Sequence, residues 1–245
     1  MTLLLDLAEV ARSSGLIVIE LQGWRDNYSP GGFEPNGVLA HHTGSYDEIA
    51  DPIDDLDYAK WLAFIGRNDL PPPLCNLGLS AESVVYVCSS GNANHAGEAR
   101  ASGPMPAAHD GNRLYIGIEA YNSGSQGWAS KGRDAAGNAI TQREGYARLG
   151  AALCDGYNWP ASHVRGHKET SVTGKVDPGL LDMDQFRRQI NERMNDVLTP
   201  EQEDRIATKS AQKTVDLLLN TEIGDTDTLS IRKILNKAKT FLLRN

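Results

Sequence analysis

Two short stretches of the chain concentrate residue types that can do chemistry. The first is Ala40-His41-His42-Thr43-Gly44, at the end of a strand-like run. Neighbouring side chains on an extended chain point to opposite faces, so only one of these two histidines can face a given site. Taken alone, the pair fits a packing or surface role equally well. The second stretch is Gly166-His167-Lys168-Glu169, followed by Gly174-Lys175-Val176-Asp177-Pro178-Gly179. Proline biases the residue before it toward extended backbone, and in an extended segment Lys175 and Asp177 lie on the same side. An amine and a carboxylate aimed together at a loop, ten residues after a histidine, suit a metal site. The carboxylate can bind the ion while the amine stabilises negative charge on a substrate oxygen. The alternative is a surface salt bridge. Two histidines and one carboxylate would give zinc three protein ligands and leave a position open for water, which is the catalytic arrangement and not the closed structural one. Zinc lowers the pKa of such a water to about 7.

The elements that must carry these residues alternate between strand and helix. The sequence predicts a helix over 3–13 closed by Gly15, a short buried strand over 16–21 and a second strand over 37–43. A helix over 57–67 is cut off by Pro71–Pro73. Residues 75–79 and 84–88 read as a hairpin around Ser80–Ser83, with Leu79 facing Val84, Leu77 facing Tyr86 and Cys75 facing Cys88. A long loop over 91–113 precedes a strand over 114–121, and loops of that length are usually functional or mobile. A helix over 141–155, a short strand over 164–166 and a helix over 182–197 follow. This order predicts an α/β fold, a central mixed sheet flanked by helices, followed by a small C-terminal helical hairpin.

Composition bounds the function classes. The 245 residues are 40% hydrophobic and 23% charged with a net charge of −8, an ordinary globular balance that excludes disorder and argues against a nucleic-acid partner. No stretch approaches the roughly 18 consecutive apolar residues of a membrane span, so no membrane insertion is expected. The opening MTLLLDLAEVAR is apolar but carries Asp6 and Glu9, and reads as an amphipathic helix with no Sec-type signal peptide. Three cysteines are too few for a disulfide scaffold. Cys75 and Cys88 are expected as cross-strand neighbours, reduced in a cytosolic product, and Cys154 as a buried helical residue. Residues 1–198 hold 16 basic and 25 acidic residues and residues 199–245 hold 8 and 7, which puts a domain boundary near 199.

The motifs Val38-Leu39-Ala40-His41-His42-Thr43-Gly44, Asn94-His95-Ala96-Gly97, Ile116-Gly117-Ile118-Glu119, and Gly166-His167-Lys168-Glu169 with Lys175-Val176-Asp177-Pro178-Gly179 occur in that order. In this the chain resembles the zinc-dependent N-acetylmuramoyl-L-alanine amidases of the type 2 amidase and peptidoglycan-recognition-protein superfamily, and among them endolysins of phages that infect actinobacteria. The resemblance runs from about Leu16 to Phe186. It implies a zinc ion held by His41, His167 and Asp177, with His42 a packing neighbour. It implies Lys175 as the oxyanion-stabilising residue and Glu119 as the acid that orients or deprotonates the zinc water. Relatives that use a tyrosine instead carry it on the first hairpin strand, and here that place falls at Cys75 or Asn76. His95 and Asn94 would line the substrate groove, with Tyr86 and Trp128 as weaker candidates; His109 and His163 lack any motif and are expected to face solvent.

The implied reaction is hydrolysis of the amide between N-acetylmuramic acid and L-alanine in the peptidoglycan of a bacterial cell wall. The rival readings are a peptidoglycan-binding protein of the same fold without catalysis and an exported bacterial autolysin. Non-catalytic relatives usually lose the third ligand, whereas all three positions here are metal-competent. A phage lysin would stay in the host cytoplasm until a holin releases it to the wall. The tail over 199–245 opens on the capping box Thr199-Pro200-Glu201-Gln202 and carries an apolar stripe over Ile231–Leu242. Two helices of that size must bury the stripe against the amidase, against a second copy or on the wall. Self-association or docking is favoured, since the tail lacks the aromatic repeats of sugar-binding modules.

Overall fold

Every side chain from Val38 to His41 is buried, because their strand lies inside a sheet covered on both faces. The computed structural model describes residues 2–44, 52–125 and 127–194, together with Asp204, residues 208–211 and Lys213. Six strands form the central sheet: β1 (Val18–Glu20), β2 (Val38–His42), β3 (Leu77–Leu79), β4 (Val85–Val87), β5 (Ile116–Ala120) and, last in the chain, β8 (Val164–Gly166). Their spatial order is β1-β4-β3-β5-β2-β8, parallel throughout except for the antiparallel pair β3/β4. This is the mixed sheet that the sequence predicts.

Alternation along the strands sorts residues between two unlike faces. Val38, Ala40, Ile116, Ile118 and Ala120 turn to a core with α1 (Leu7–Arg12), α3 (Gln142–Gly156) and α5 (Met183–Arg193). Leu39 and Tyr115 turn to the other face, where they pack with Ala96 and Met105 of the long loop. Further along that face α2 (Pro52–Lys60) and the π-helical turn Trp61–Ile65 cover Tyr86, Cys75, Cys88 and Tyr121. Thr141 caps α3 by accepting from the Glu144 N–H, and Asp182 caps α5 by accepting from the Gln185 N–H. Gly150 lets α3 close on α5, since a Cβ there would stand 2.8 Å from Ile190 Cδ1.

The structure corrects three sequence expectations. The hairpin register is shifted by one: Leu77 pairs with Val87, Gly78 with Tyr86 and Leu79 with Val85. The turn takes one more residue than expected because Ser80 Oγ accepts from the Val84 N–H and Ser83 adopts a left-handed φ of 67°. Cys75 and Cys88 are accordingly not directly opposed, and both are buried free thiols. Tyr86 and Trp128 belong to the core and not to a groove; the Trp128 indole N–H donates to the Gly179 carbonyl at 2.8 Å. A two-stranded hairpin of β6 (Lys131–Arg133) and β7 (Ala139–Thr141), and the single-turn helix α4 (His167–Thr170), had no sequence signal.

The expected tail helices, including the Ile231–Leu242 stripe, lie outside the described residues apart from those few. Of these, Ser210 is buried, and its hydroxyl oxygen accepts from the Val18 N–H on the outer edge of β1. Among the described residues no helix is long and apolar enough to cross a membrane.

One side chain ties the core to the metal-competent end of β2. The Tyr146 hydroxyl on α3 accepts from the His41 N–H at 2.9 Å and lies 3.1 Å from the carbonyl oxygens of both His41 and Ile118, donating its one proton between them. Tyr146→Phe leaves a buried N–H without its acceptor, which costs about 1–3 kcal/mol. Urea unfolding should read that loss, and a change under about 0.5 kcal/mol, the size of an ordinary surface substitution, would contradict the role given to the hydroxyl.

Candidate metal centre and active site

The site gathers at the carboxyl ends of the parallel strands, where open α/β sheets leave a crevice. β2 ends on His41 and His42, and in its register with β5 His41 stands directly opposite Glu119. Both side chains lie on the loop-covered face. β8 ends at Gly166, and His167 opens α4 immediately after it. α4 is pinned through Glu169, whose carboxylate accepts from the Gly166 N–H and pairs with Arg165 and Arg187. Asp177 reaches the same point from the loop before α5. That loop is held by Lys168, whose ammonium donates to the carbonyls of Pro178 and Leu181, each at 2.7 Å.

His41 Nδ1 lies 2.9 Å and His167 Nδ1 3.1 Å from one oxygen, Asp177 Oδ2. The three potential ligand atoms fall within 4.8 Å of one another, and all three residues are buried. The far nitrogens of both rings are already engaged, His41 Nε2 with His95 Nδ1 and His167 Nε2 with the Ala96 carbonyl, each at 3.1 Å. Both imidazoles therefore turn the same nitrogen, Nδ1, toward one shared point beside a carboxylate. Two neutral imidazoles and one carboxylate are a donor set that zinc accepts with a position left open, so the residues fit a zinc ion.

His42 faces away from this point. Its Nδ1 accepts from the Gly179 N–H at 2.8 Å, so it fastens the loop that carries Asp177. The alternation of β2 separates the two adjacent histidines as the sequence reading required.

The family model for N-acetylmuramoyl-L-alanine amidase matches residues 31–180, a span that contains His41, Glu119, His167 and Asp177. The chain belongs to that family. No curated protein matches the sequence. Among solved structures the chain is similar to the endolysin N-acetylmuramoyl-L-alanine amidase LysCS from Clostridium intestinale URNW, at 16% identity over 71% of this chain and 95% of that one, with a TM-score of 0.46. It is similar to the catalytic domain of XlyA at 20% identity, 71% and 98% coverage and a TM-score of 0.45. A selenomethionine AmpD derivative matches at 19% identity, 70% and 99% coverage and a TM-score of 0.41.

In this amidase the charges around the shared point are set by burial. Burial pushes His41 down to about 4, against the raising effect of the Asp177 hydrogen bond, so the ring is neutral at pH 7 as a metal ligand must be. Burial works against ionisation of Asp177, but its close contacts with His167 and His41 outweigh it and hold the carboxyl well below its usual range. Glu119 is pushed the other way, well above the carboxylate range, first by burial and then by the Asp177 charge, with Lys175 and Arg67 opposing. Glu119 Oε1 is 3.9 Å from His41 Nδ1, and Oε2 is buried without a hydrogen-bond partner. A carboxyl free at one oxygen, beside a metal-competent point and held toward its protonated form, is equipped to exchange a proton with a reacting group.

These groups line a cavity of about 630 Å³. Lys175 is exposed on its rim and, among the described residues, has no ion-pair partner. Asn94 also lines it, with its amide NH₂ donating to Ser29 Oγ and the Pro71 carbonyl. His95 touches the cavity but is 9% exposed, and its Nδ1 faces His41. His109 is fully exposed, and His163 is a surface residue whose Nδ1 lies 2.6 Å from the Asn36 carbonyl.

Sequence reasoning missed three contributors. Trp61 and Tyr58 stack with ring centroids 5.5 Å apart in the cavity wall; their helical spacing gave only a core signal. Asn112, in the Asp110-Gly111-Asn112 turn, accepts from the N–H groups of His95, Ala96 and Gly97. A turn-forming tripeptide ahead of the strand was the one available cue.

Proposed function

We propose that the protein is a zinc-dependent phage endolysin that opens peptidoglycan at the amide between the lactyl group of N-acetylmuramic acid and L-alanine. The observation that carries this reading is the convergence of His41 Nδ1, His167 Nδ1 and Asp177 Oδ2 within 4.8 Å, beside a partnerless Glu119 oxygen. A zinc ion held by these three residues would polarise the scissile carbonyl and make water nucleophilic at neutral pH. Glu119 takes the proton of the attacking water at Oε2 and returns it to the leaving nitrogen of alanine. The Lys175 ammonium, at the rim, holds the negative charge that develops on the carbonyl oxygen. Asn94 offers its oxygen to an N–H of the stem peptide across the cavity.

The endolysin role rests on the motif resemblance, in which the order of the four sequence motifs matches phage lysins. It predicts an enzyme that stays in the cytoplasm of its host until the membrane is opened. Bacteria expressing the full chain should grow normally, then lyse when a holin or a membrane-permeabilising agent is supplied. A chelator added with that agent should block lysis, and excess zinc should restore it. Secretion of the chain by itself, with cleavage near Met1, would contradict the endolysin role and favour an exported autolysin.

A further inference from the structure

His95 and Ala96 touch the two histidine ligands and have no part in the chemistry assigned so far. His95 Nδ1 lies 3.1 Å from His41 Nε2, and the Ala96 carbonyl lies 3.1 Å from His167 Nε2. We infer that His95 is a positioning residue of the metal centre: its Nδ1 accepts the His41 Nε2–H and so fixes the His41 ring and tautomer that present Nδ1 to the metal. This rests on the zinc reading above.

A neutral imidazole carries a single proton. For His41 to offer the Nδ1 lone pair, that proton must sit on Nε2, and a buried N–H needs an acceptor. Metal-ligating histidines usually find one in a carboxylate, a backbone carbonyl or a water. Here the acceptor is a second imidazole, so His95 must in turn carry its own proton on Nε2. Its Nε2 is buried and has no hydrogen-bond partner, so that proton goes unpaired, which is the cost of giving His41 its acceptor.

The surrounding residues hold His95 in this place. Gly117, on the same sheet face as Glu119, gives the ring its room: a Cβ there would stand 2.6 Å from His95 Cγ. Asn112 Oδ1 accepts from the loop's own amides, at 2.9 Å from His95 N, 2.6 Å from Ala96 N and 3.4 Å from Gly97 N. One side-chain oxygen thus fixes the stretch that braces His41 through a ring nitrogen and His167 through a carbonyl. The reading differs from the groove-lining role expected of His95, because its Nδ1 is engaged by His41 and its Nε2 is buried.

The test is zinc affinity, measured by competition with a chromophoric chelator on the full chain. His95→Phe keeps a ring of similar size without an acceptor, and should lower zinc affinity about 10- to 100-fold, the range for losing an outer partner of a metal ligand. The metal-free melting temperature should change little. His95→Asn carries an oxygen close to where Nδ1 stands and should recover most of the affinity. A folded His95→Phe protein with wild-type affinity overturns the inference. If that variant does not fold, the wild-type protein still decides it: with ¹⁵N-labelled histidine and zinc bound, His95 Nδ1 should be unprotonated and coupled across a hydrogen bond to His41 Nε2. A protonated His95 Nδ1 overturns the inference. A wild-type chain that takes up no zinc overturns the metal reading and the brace with it, whereas normal wild-type uptake with an unaffected His95→Phe overturns the brace alone.

Discussion

His41→Ala, His167→Ala and Asp177→Ala should each strip the purified protein of zinc and abolish turnover, while His42→Ala should leave one zinc per chain. The contrast between the adjacent histidines makes the prediction sharp. His41 Nδ1 shares Asp177 Oδ2 with His167 Nδ1, so deleting any of the three removes one of only three protein ligands and leaves a site that cannot close around the ion. Loss of an outer partner already costs about 10- to 100-fold in metal affinity, and loss of a direct ligand must cost more. His42 instead accepts from the Gly179 N–H at 2.8 Å. Its removal should cost about 1 kcal/mol of stability, the usual worth of one hydrogen bond, without emptying the site. Elemental analysis of the purified variants checks this. Zinc lost from His42→Ala and kept by His41→Ala would reverse the ligand assignment.

Glu119→Gln and Lys175→Ala should keep fold and zinc and lose turnover. General acid–base catalysis is worth about 10²–10⁴-fold, so Glu119→Gln should lower kcat by that factor. The amide retains the shape of the carboxyl and cannot accept a proton. The substitution also removes a carboxyl that burial and the Asp177 charge both disfavour in its ionised form, so the melting temperature should hold or rise. Lys175→Ala removes the cation at the rim and should cost about 10²–10³-fold, the scale of one oxyanion donor. Wall-lysis rates on zinc-loaded variants read both. Near-native turnover by Glu119→Gln would move proton transfer to another residue.

What the sequence made legible follows the reach of each signal. Alternation on a strand is local, so separating His41 from His42 needed only their adjacency and a strand. Which one faces the metal-competent point depends on β5 and β8, which lie on either side of β2 and are distant in sequence. The hairpin was visible from its two apolar runs, but its register turned on the left-handed backbone of Ser83, for which no glycine gave a cue. Lys131–Arg133 shows the exposed-intermediate-exposed pattern of a strand without an apolar face, and α4 has too few residues for any helical period. The partnership of His95 with His41 spans 54 positions and joins a loop to a strand end, so no spacing rule could foresee it. The hydrophobic faces gave the fold, and the motif order gave the candidate ligand set; the outer hydrogen bonds around those residues were legible in neither.

The most direct test of the central claim is the identity of the bond that breaks. Purified cell wall should be digested with zinc-loaded protein and the products identified by mass spectrometry. The result expected is free stem peptides with new L-alanine amino termini, and glycan strands whose N-acetylmuramic acid carries a free lactyl carboxyl, with neither product formed by the Glu119→Gln variant. New reducing sugar ends, or cuts only within the stem peptide, would contradict the account.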